Sequence, residues 1–96
     1  PFLPKVPKLA QNYPNPFNVR TVIPYSLSDE MEVKLEVFNV LGQKVRTLFV
    51  GKQYSGGHEV VWDGRGDDGE ALANGVYFYR LETGGVVLTR KALLLR

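Results

Sequence analysis

The feature that most limits the fold of this chain is a strict alternation of apolar and polar residues. In the stretch VKLEVFNV, Val33, Leu35 and Val37 face one way while Lys34 and Glu36 face the other. A period of two residues is typical of a half-buried β-strand. No segment has the 3.6-residue apolar period of an amphipathic helix, so the sequence predicts an all-β fold.

Further stretches carry strand signals between turn-rich segments. They are TVIPYSL, VRTLFV, HEVVWD, VYFYRLET and VVLTRKALLLR. Turn signals recur about every 8–12 residues, as in immunoglobulin-like domains. We therefore predict an antiparallel, immunoglobulin-like β-sandwich of about seven strands. Ile23, Tyr25 and Leu27 should lie on one side of their strand, and Val60 and Trp62 should face inward on theirs. Pro24 favours an edge position for its strand.

The turns are predicted from glycine and polar residues. Gly42 turns the chain in LGQK, GKQYSGG forms a second turn, and Gly84 with Gly85 forms a hairpin. GRGDDGEALANG is a long connection rich in Gly, Asp and Asn. ALANG and ALLLR are each long enough for one helical turn at most.

Length and composition exclude several classes of protein. With 96 residues the chain forms one domain, and it has no cysteine for a disulfide or a thiolate metal site. No apolar run reaches the roughly 20 residues of a membrane-spanning helix. The net charge of +2 comes without a basic cluster interleaved with aromatics, which argues against nucleic acid. No cofactor is expected.

The first residues differ in character from the rest. PFLPKVPK places proline at every third position, which favours an extended, semi-rigid linker. We assign residues 1–10 to a linker from an upstream domain and residues 11–96 to the sandwich. The chain opens at Pro1, so we interpret it as a piece of a longer protein, most plausibly its C-terminal end.

Candidate chemical groups are few. His58 is the single histidine, and we interpret it as an exposed residue at the start of a strand. The acidic loop contributes a weak candidate calcium site from Asp63, Asp67, Asp68 and Glu70, because hard cations prefer oxygen ligands. Its spacing fails the helix-loop-helix calcium pattern, and turn chemistry alone explains these residues. No catalytic constellation is present, so we do not expect an enzyme.

Two other motifs receive structural interpretations. The RGD tripeptide at residues 65–67 matches an adhesion motif, but three-residue matches are common by chance. An exposed row of aromatics would suit a sugar-binding face. We instead expect core positions for Trp62, Tyr77 and Tyr79, with a hydroxyl or indole N–H reaching the edge. The complete set of candidate aromatics is Tyr13, Tyr25, Tyr54, Trp62, Tyr77 and Tyr79.

The stretch QNYPNPFN, residues 11–18, is called the lead-in segment below. Pro14 and Pro16 restrict the backbone and favour extended neighbours. Three asparagines, Asn12, Asn15 and Asn18, can bond exposed backbone groups. We predict a hydrogen-bond-poor segment strapped to the sandwich by two apolar anchors, Tyr13 and Phe17.

In combination, the motifs resemble the type A C-terminal sorting domain of type IX secretion cargo. They are LAQNYPNPFN, VKLEVFNVLGQKVRTL, GGHEVVWDGRGDDGEALANGVYFYRLETGG and TRKALLLR, in that order. The pattern is also similar to the immunoglobulin-like module of flagellar hook-capping proteins. The resemblance covers about residues 9–96, and Val19 stands where many members carry proline.

The resemblance implies an export address. Such a domain is recognised at the outer membrane by the secretion machinery, and a surface sortase then removes it from its cargo, which reaches the cell surface or the medium. Pro14, Asn15, Pro16 and Phe17 match the motif at the start of the domain. Structural positions of the family are matched by Gly42, Trp62, Gly75, Tyr77 and Tyr79, and Lys91 begins the terminal basic-apolar segment.

The last strand is our predicted recognition element. An exposed edge strand can be extended by a partner's strand, with alternate side chains giving selectivity. The candidate recognition residues are Arg90, Lys91, Leu93, Leu95 and Arg96. Alternatives from other classes are a carbohydrate-binding or adhesive module of a secreted hydrolase, and a structural subunit of the hook-cap type.

Overall fold

The computed structural model describes residues 6–96, in which seven β-strands and no helix are found. None of these residues therefore forms a helix that is long and apolar enough to cross a membrane. The strands are β1 (Lys8–Leu9), β2 (Thr21–Leu27), β3 (Met31–Phe38), β4 (Lys44–Gln53), β5 (Gly56–Trp62), β6 (Gly75–Thr83) and β7 (Val86–Leu94).

The strands form two sheets. One sheet has three strands in the order β1-β2-β5, and the other has four in the order β4-β3-β6-β7. All neighbouring strands run antiparallel. This arrangement confirms the predicted all-β, immunoglobulin-like sandwich.

The core lies between the two sheets and follows the alternation in the sequence. Ile23, Tyr25 and Leu27 of β2 are buried, and the alternate residues of β3 are buried opposite them. Burying these side chains supplies the main driving force for folding. The buried apolar residues are Leu9, Phe17, Ile23, Tyr25, Leu27, Val33, Leu35, Val37, Trp62, Tyr77, Tyr79, Leu81, Ala92 and Leu94.

The predicted turns are found with two differences. Gly84 and Gly85 have φ values of 55° and 79°, the left-handed pair that a tight two-residue hairpin requires. β4, in contrast, runs on through Gly51 to Gln53 and β5 begins at Gly56, so the turn predicted over GKQYSGG is shorter than expected and consists of Tyr54 and Ser55. The alternative of short helical turns in ALANG and ALLLR is not adopted either.

The predicted linker overlaps the sandwich. Pro1–Lys5 lie outside the described residues, but Lys8–Leu9 form β1 and pair with β2. Leu9 is buried in the core and Pro7 is also buried. The sheet therefore begins N-terminal to the predicted boundary at residue 10, whereas a connection to an upstream domain stays a prediction.

Pro24 lies in the middle of its sheet and not at the predicted edge. The N–H of Ala10 donates to the Pro24 carbonyl at 2.9 Å, so the backbone of Pro24 faces β1. Proline has no N–H to return to the carbonyl of Ala10. The Tyr79 hydroxyl donates to the Ala10 carbonyl instead, at 2.7 Å. A side chain from the opposite sheet thus compensates for the missing ladder bond.

Candidate functional site

The lead-in segment lies along the outer edge of β7. The Phe17 N–H donates to the Leu93 carbonyl at 3.0 Å, and the Leu95 N–H donates to the Phe17 carbonyl at 2.9 Å. The Leu93 N–H donates to Asn15 Oδ1 at 2.9 Å, and Gln11 Nε2 donates to the Lys91 carbonyl at 2.7 Å. The chain therefore covers the edge of its own C-terminal strand between residues 91 and 95. The prediction that this strand is an exposed edge, which a partner's strand could extend, is wrong over these residues because Gln11, Asn15 and Phe17 already bond its outward backbone groups.

The same segment is bonded to the three-stranded sheet. Tyr13 and Val22 exchange two backbone hydrogen bonds at 2.8 and 3.0 Å. Asn12 is buried, and its amide donates to Thr21 Oγ1 at 2.9 Å, while its backbone N–H donates to the Tyr79 hydroxyl at 2.8 Å. The prediction of a hydrogen-bond-poor segment is therefore wrong, because the segment connects both sheets through backbone and amide groups.

The two predicted apolar anchors, Tyr13 and Phe17, differ in burial. Phe17 is 2% exposed and its ring lies 5.3 Å from that of Trp62. Tyr13, in contrast, is 52% exposed and its hydroxyl donates to Glu59 at 3.0 Å. Only Phe17 acts as an apolar anchor. The bonds preceding Pro14 and Pro16 are both cis.

Trp62 sits at the centre of an aromatic cluster. Tyr77 meets it edge-on with ring centroids 5.5 Å apart, a favourable geometry for two aromatic rings. The Trp62 indole N–H donates to the Arg65 carbonyl at 3.1 Å, and the Tyr77 hydroxyl donates to the Ala73 carbonyl at 2.6 Å. These contacts agree with the predicted core positions whose polar atoms reach the edge of the sandwich.

The candidate aromatic row for sugar binding does not form within residues 6–96. Trp62, Tyr77 and Tyr79 are buried, and Tyr25 is buried as well. Burial raises the pKa of Tyr79, although the hydrogen bond from the Asn12 backbone acts in the opposite direction. Tyr54 is the one candidate besides Tyr13 that is exposed, and it lies in the turn between β4 and β5.

The predicted recognition residues lie on β7 and just beyond it. Lys91 is exposed and Leu95 is 48% exposed, whereas Leu93 is partly buried. Arg90 is exposed, but its Nε donates to the Leu9 carbonyl at 2.6 Å. Lys91 and Leu95 are therefore the members of the set that present their side chains most freely.

Arg96 is engaged with the long connection. Its guanidinium donates to the carbonyls of Leu72 and Gly64, and its backbone N–H donates to Asn74 Oδ1 at 3.0 Å. These contacts hold the end of the chain against the connection between β5 and β6. Arg96 is thus placed for a structural role, whereas its role in recognition remains a prediction.

The acidic loop consists of turns held by its own carboxylates. Asp63 Oδ1 accepts from Arg46 at 2.9 Å and from the Arg65 N–H at 3.1 Å, and Asp68 Oδ1 accepts from the Glu70 N–H. Asp67 Oδ1 accepts from the Thr47 N–H of β4. Within residues 6–96, no three such groups converge as a cluster for a metal ion.

The charge of Asp63 is stabilised in this arrangement. Burial alone would raise the pKa of its carboxyl group. The hydrogen bonds from Arg46 and Arg65, together with the Arg46 charge, outweigh burial and hold the pKa below its usual value. The same contacts engage Arg65 of the RGD tripeptide, because the Arg65 carbonyl also accepts from Arg46. Asp67 of the tripeptide is engaged separately by Thr47 and Val45 of β4.

His58 differs from its interpretation as an exposed residue at a strand start. It is the third residue of β5, is partly buried, and stacks on Tyr25 with ring centroids 5.3 Å apart. Its Nε2 lies 2.7 Å from the Tyr54 carbonyl. His58 therefore packs against β2 and contacts the turn between β4 and β5.

One buried charge could not be predicted from the sequence. Glu36 is 5% exposed on the outer face of its sheet and lies 3.6 Å from both Lys44 and Arg80. Arg80 in turn lies over the Phe38 ring at 4.3 Å, a cation–π contact. Alternation predicts only that Glu36 faces away from the core, which it does.

Gly42 and Gly75 occupy the predicted structural positions. Gly42 has a φ of 80° and its N–H donates to the Asn39 carbonyl in the turn between β3 and β4. Gly75 opens β6. These two glycines therefore lie at a turn and at the start of a strand.

The chain is similar to known proteins both in its sequence and in its fold. The family model of the FlgD Ig-like domain matches residues 18–85. No curated protein matches the chain. Among solved structures, dimeric latent PorU from Porphyromonas gingivalis matches with a TM-score of 0.77 and 21% identity over 98% of this chain and 10% of that chain.

Two further structures share the fold. PorZ, an essential surface component of the type-IX secretion system of Porphyromonas gingivalis, matches with a TM-score of 0.58 and 20% identity over 90% of this chain and 11% of its own. The DNA glycosylase AlkC from Pseudomonas fluorescens matches with a TM-score of 0.57 and 14% identity over 94% of this chain and 30% of its own. The chain thus spans about a tenth of the length of PorU and PorZ.

Proposed function

This chain belongs to the FlgD Ig-like domain family, and from that premise we propose that it is the C-terminal sorting domain of a longer exported protein. The type IX secretion machinery recognises it at the outer membrane, and a surface sortase then removes it from the cargo. In this proposal the domain crosses the periplasm with its cargo and performs no reaction of its own.

One observation carries the proposal: Lys91 on β7 and Leu95 just beyond it project from a backbone that the lead-in segment holds in place. Lys91 is exposed, yet its carbonyl is bonded to Gln11, and the Leu95 N–H is bonded to Phe17. A receptor therefore meets a basic and an apolar side chain in a fixed geometry. Preorganisation of this kind lowers the entropic cost of binding.

The likeness in fold to PorU and PorZ supports the proposal indirectly. Nearly the whole chain superposes on about a tenth of each of these proteins, as expected of a module that a longer protein carries. Since AlkC shares the fold as well, the role in sorting rests on the motifs and on the surface of β7.

The test uses a fluorescent reporter fused to this domain in a bacterium that has the machinery. Deleting Lys91–Arg96 is a poor test, because Ala92 and Leu94 belong to the core and the domain would unfold. Lys91→Glu and Leu95→Ser change exposed side chains, and Lys52→Glu, at an exposed position of β4, is the matched control for the charge reversal.

We expect Lys91→Glu and Leu95→Ser to lower the exported fraction of the reporter, while the melting temperatures of the purified domains stay close to that of the parent. Lys52→Glu should be exported normally. Equal export of all variants would contradict recognition through β7.

A further inference from the structure

β5 has an edge that no described residue covers. The Ala10 N–H donates to the Pro24 carbonyl, so the backbone groups of Pro24 point towards β1. Because these groups alternate in direction along a strand, the backbone N–H and C=O groups of Ile23 and Tyr25 point towards β5. Their partners on β5 are Val60 and His58. The intervening backbone groups of β5 point away from the sheet, and within residues 6–96 they receive no hydrogen bond. These outward residues are Gly57, Glu59 and Val61.

The other long edges are covered or interrupted by the chain itself. The lead-in segment bonds β7 from residue 91 to residue 95. On β4, Asp67 bonds both Val45 and Thr47, the register shifts beside these residues, and Lys52 follows near the end of the strand. Bulges and lysines are common means of preventing further strands from pairing.

β5 has none of these protections. Its sequence GGHEVVW contains no proline, lysine or arginine, and its pairing with β2 shows no register shift. At Gly57 the outer face of the strand has no side chain. Beside it lies a recess of 680 Å³ whose lining includes Pro24, Ala10 and Glu59.

The charge of Glu59 indicates which kind of side chain would bind at the edge of β5. Glu36 and Glu82, which also face outward on strands, both form ion pairs. Glu59 is exposed and has no ion pair within residues 6–96; it accepts only the Tyr13 hydroxyl. Lys8 also lines the recess but forms no ion pair with Glu59, so a cation beside Glu59 would meet a carboxylate that is not already in an ion pair within the described residues.

We propose that β5 is a docking edge for an extended segment of a partner protein that pairs with Gly57, Glu59 and Val61 and carries a lysine or arginine beside Glu59. The aliphatic part of that side chain crosses Gly57 onto Pro24 and Ala10. The alternate side chains of the added strand are apolar and cover the partly buried Val60. This inference is independent of the role in sorting.

The test uses the peptide Ac-Thr-Val-Lys-Val-Thr-NH2 and a second peptide with glutamate in place of lysine. Binding to the ¹⁵N-labelled chain is followed by the amide resonances of Gly57, Glu59 and Val61. Val61→Pro removes one outward N–H of β5, and Val87→Pro removes one of β7. The two valines are 52% and 57% exposed, so they form a matched pair.

We expect the lysine peptide to shift the β5 resonances and to bind about 3-fold or more tightly than the glutamate peptide. Val61→Pro should weaken binding about 3- to 10-fold through the lost hydrogen bond, and Val87→Pro should leave it unchanged. Glu59→Lys should reverse the preference between the two peptides, which keeps the test decisive if Val61→Pro does not fold.

The proposal would be overturned by shifts confined to β7, by no response of the β5 amides at millimolar peptide, or by no change of preference in Glu59→Lys. Protection of the β5 amides that grows with protein concentration alone would also overturn it, in favour of pairing between two copies of this chain.

Discussion

The side-chain oxygen of Asn15 accepts a hydrogen bond from the backbone N–H of Leu93 at 2.9 Å, across 78 positions of sequence. This contact, with the two backbone bonds of Phe17, joins the start of the domain to its last strand. A substitution in the lead-in segment should therefore alter the hydrogen bonding of the C-terminal strand.

Asn15→Ala should expose the Leu93 N–H while leaving the core intact. We expect the Leu93 amide to exchange faster with solvent and the free energy of unfolding to fall by about 0.5–1.5 kcal/mol. Hydrogen exchange by NMR measures the first effect and urea denaturation the second. Asn18→Ala is the control, since Asn18 is exposed and its side chain makes no hydrogen bond within residues 6–96; an equal effect of both changes would contradict this role of Asn15.

Phe17→Ala should be the most damaging change in the lead-in segment. Phe17 is almost fully buried against Trp62, and removing such a ring leaves a cavity that costs about 3–5 kcal/mol. Thermal unfolding measures the loss. Val19→Ala should cost less than about 0.5 kcal/mol, because Val19 is 67% exposed; a similarly small loss for Phe17→Ala would show that the segment is not anchored by its ring.

Tyr79→Phe should separate the hydroxyl of Tyr79 from its ring. The change removes the donor to the Ala10 carbonyl and the acceptor for the Asn12 N–H, and it leaves the buried Asn12 N–H without a partner. We expect a loss of about 1–3 kcal/mol in chemical denaturation. Tyr54→Phe, at an exposed turn position, is the control, and equal stability of the two variants would show that Tyr79 acts through its ring alone.

We expect Tyr79 to contribute to a loss of stability at alkaline pH. Because burial raises the pKa of its folded hydroxyl, its contribution to stability is full below the unfolded pKa of about 10. That contribution is lost as the pH rises through the folded pKa. Tyr79→Phe should therefore flatten the fall in melting temperature above about pH 10; an unchanged slope would contradict this assignment.

Asp63→Asn should change the response of the domain to acid. The folded pKa of Asp63 is lowered, so its contribution is present above the unfolded pKa of about 4 and is lost as the pH falls through the folded pKa. We expect the variant to be less stable at pH 7 and to lose less melting temperature between pH 7 and pH 3. The effect should be small, because the Asp63 side chain is 49% exposed.

Asp29→Asn is the matched control for this change. Asp29 is exposed in the turn before β3 and forms no hydrogen bond or ion pair through its side chain within residues 6–96. If Asp63→Asn and Asp29→Asn gave the same pH dependence, the contacts of Asp63 with Arg46 and Arg65 would not explain its acid response.

Alternation and turn residues were enough to predict the strands and most of the core. Ile23 and Leu35 are buried because each lies on the apolar face of a strand with a clear period of two. The hairpin at Gly84 and Gly85 was predictable for a similar reason, since the preference of glycine for a tight turn is local.

Contacts between distant parts of the sequence were not predictable. Proline favours an edge position because it lacks the N–H that a central strand needs. Nothing near Pro24 in the sequence indicates that the Tyr79 hydroxyl donates to the Ala10 carbonyl instead of that N–H. Likewise, the prolines of the lead-in segment suggested few hydrogen bonds. Its partners, Leu93 and Val22 among them, lie on strands that only the tertiary fold brings to it.

The most direct test of the central claim is the export of a fluorescent reporter that carries this domain at its C-terminus. It is measured in a host with the type IX secretion machinery and in an otherwise identical host without it. The account predicts reporter at the cell surface or in the medium of the first host only, and none from reporter without the domain. Retention inside both hosts, or equal export from both, would contradict it.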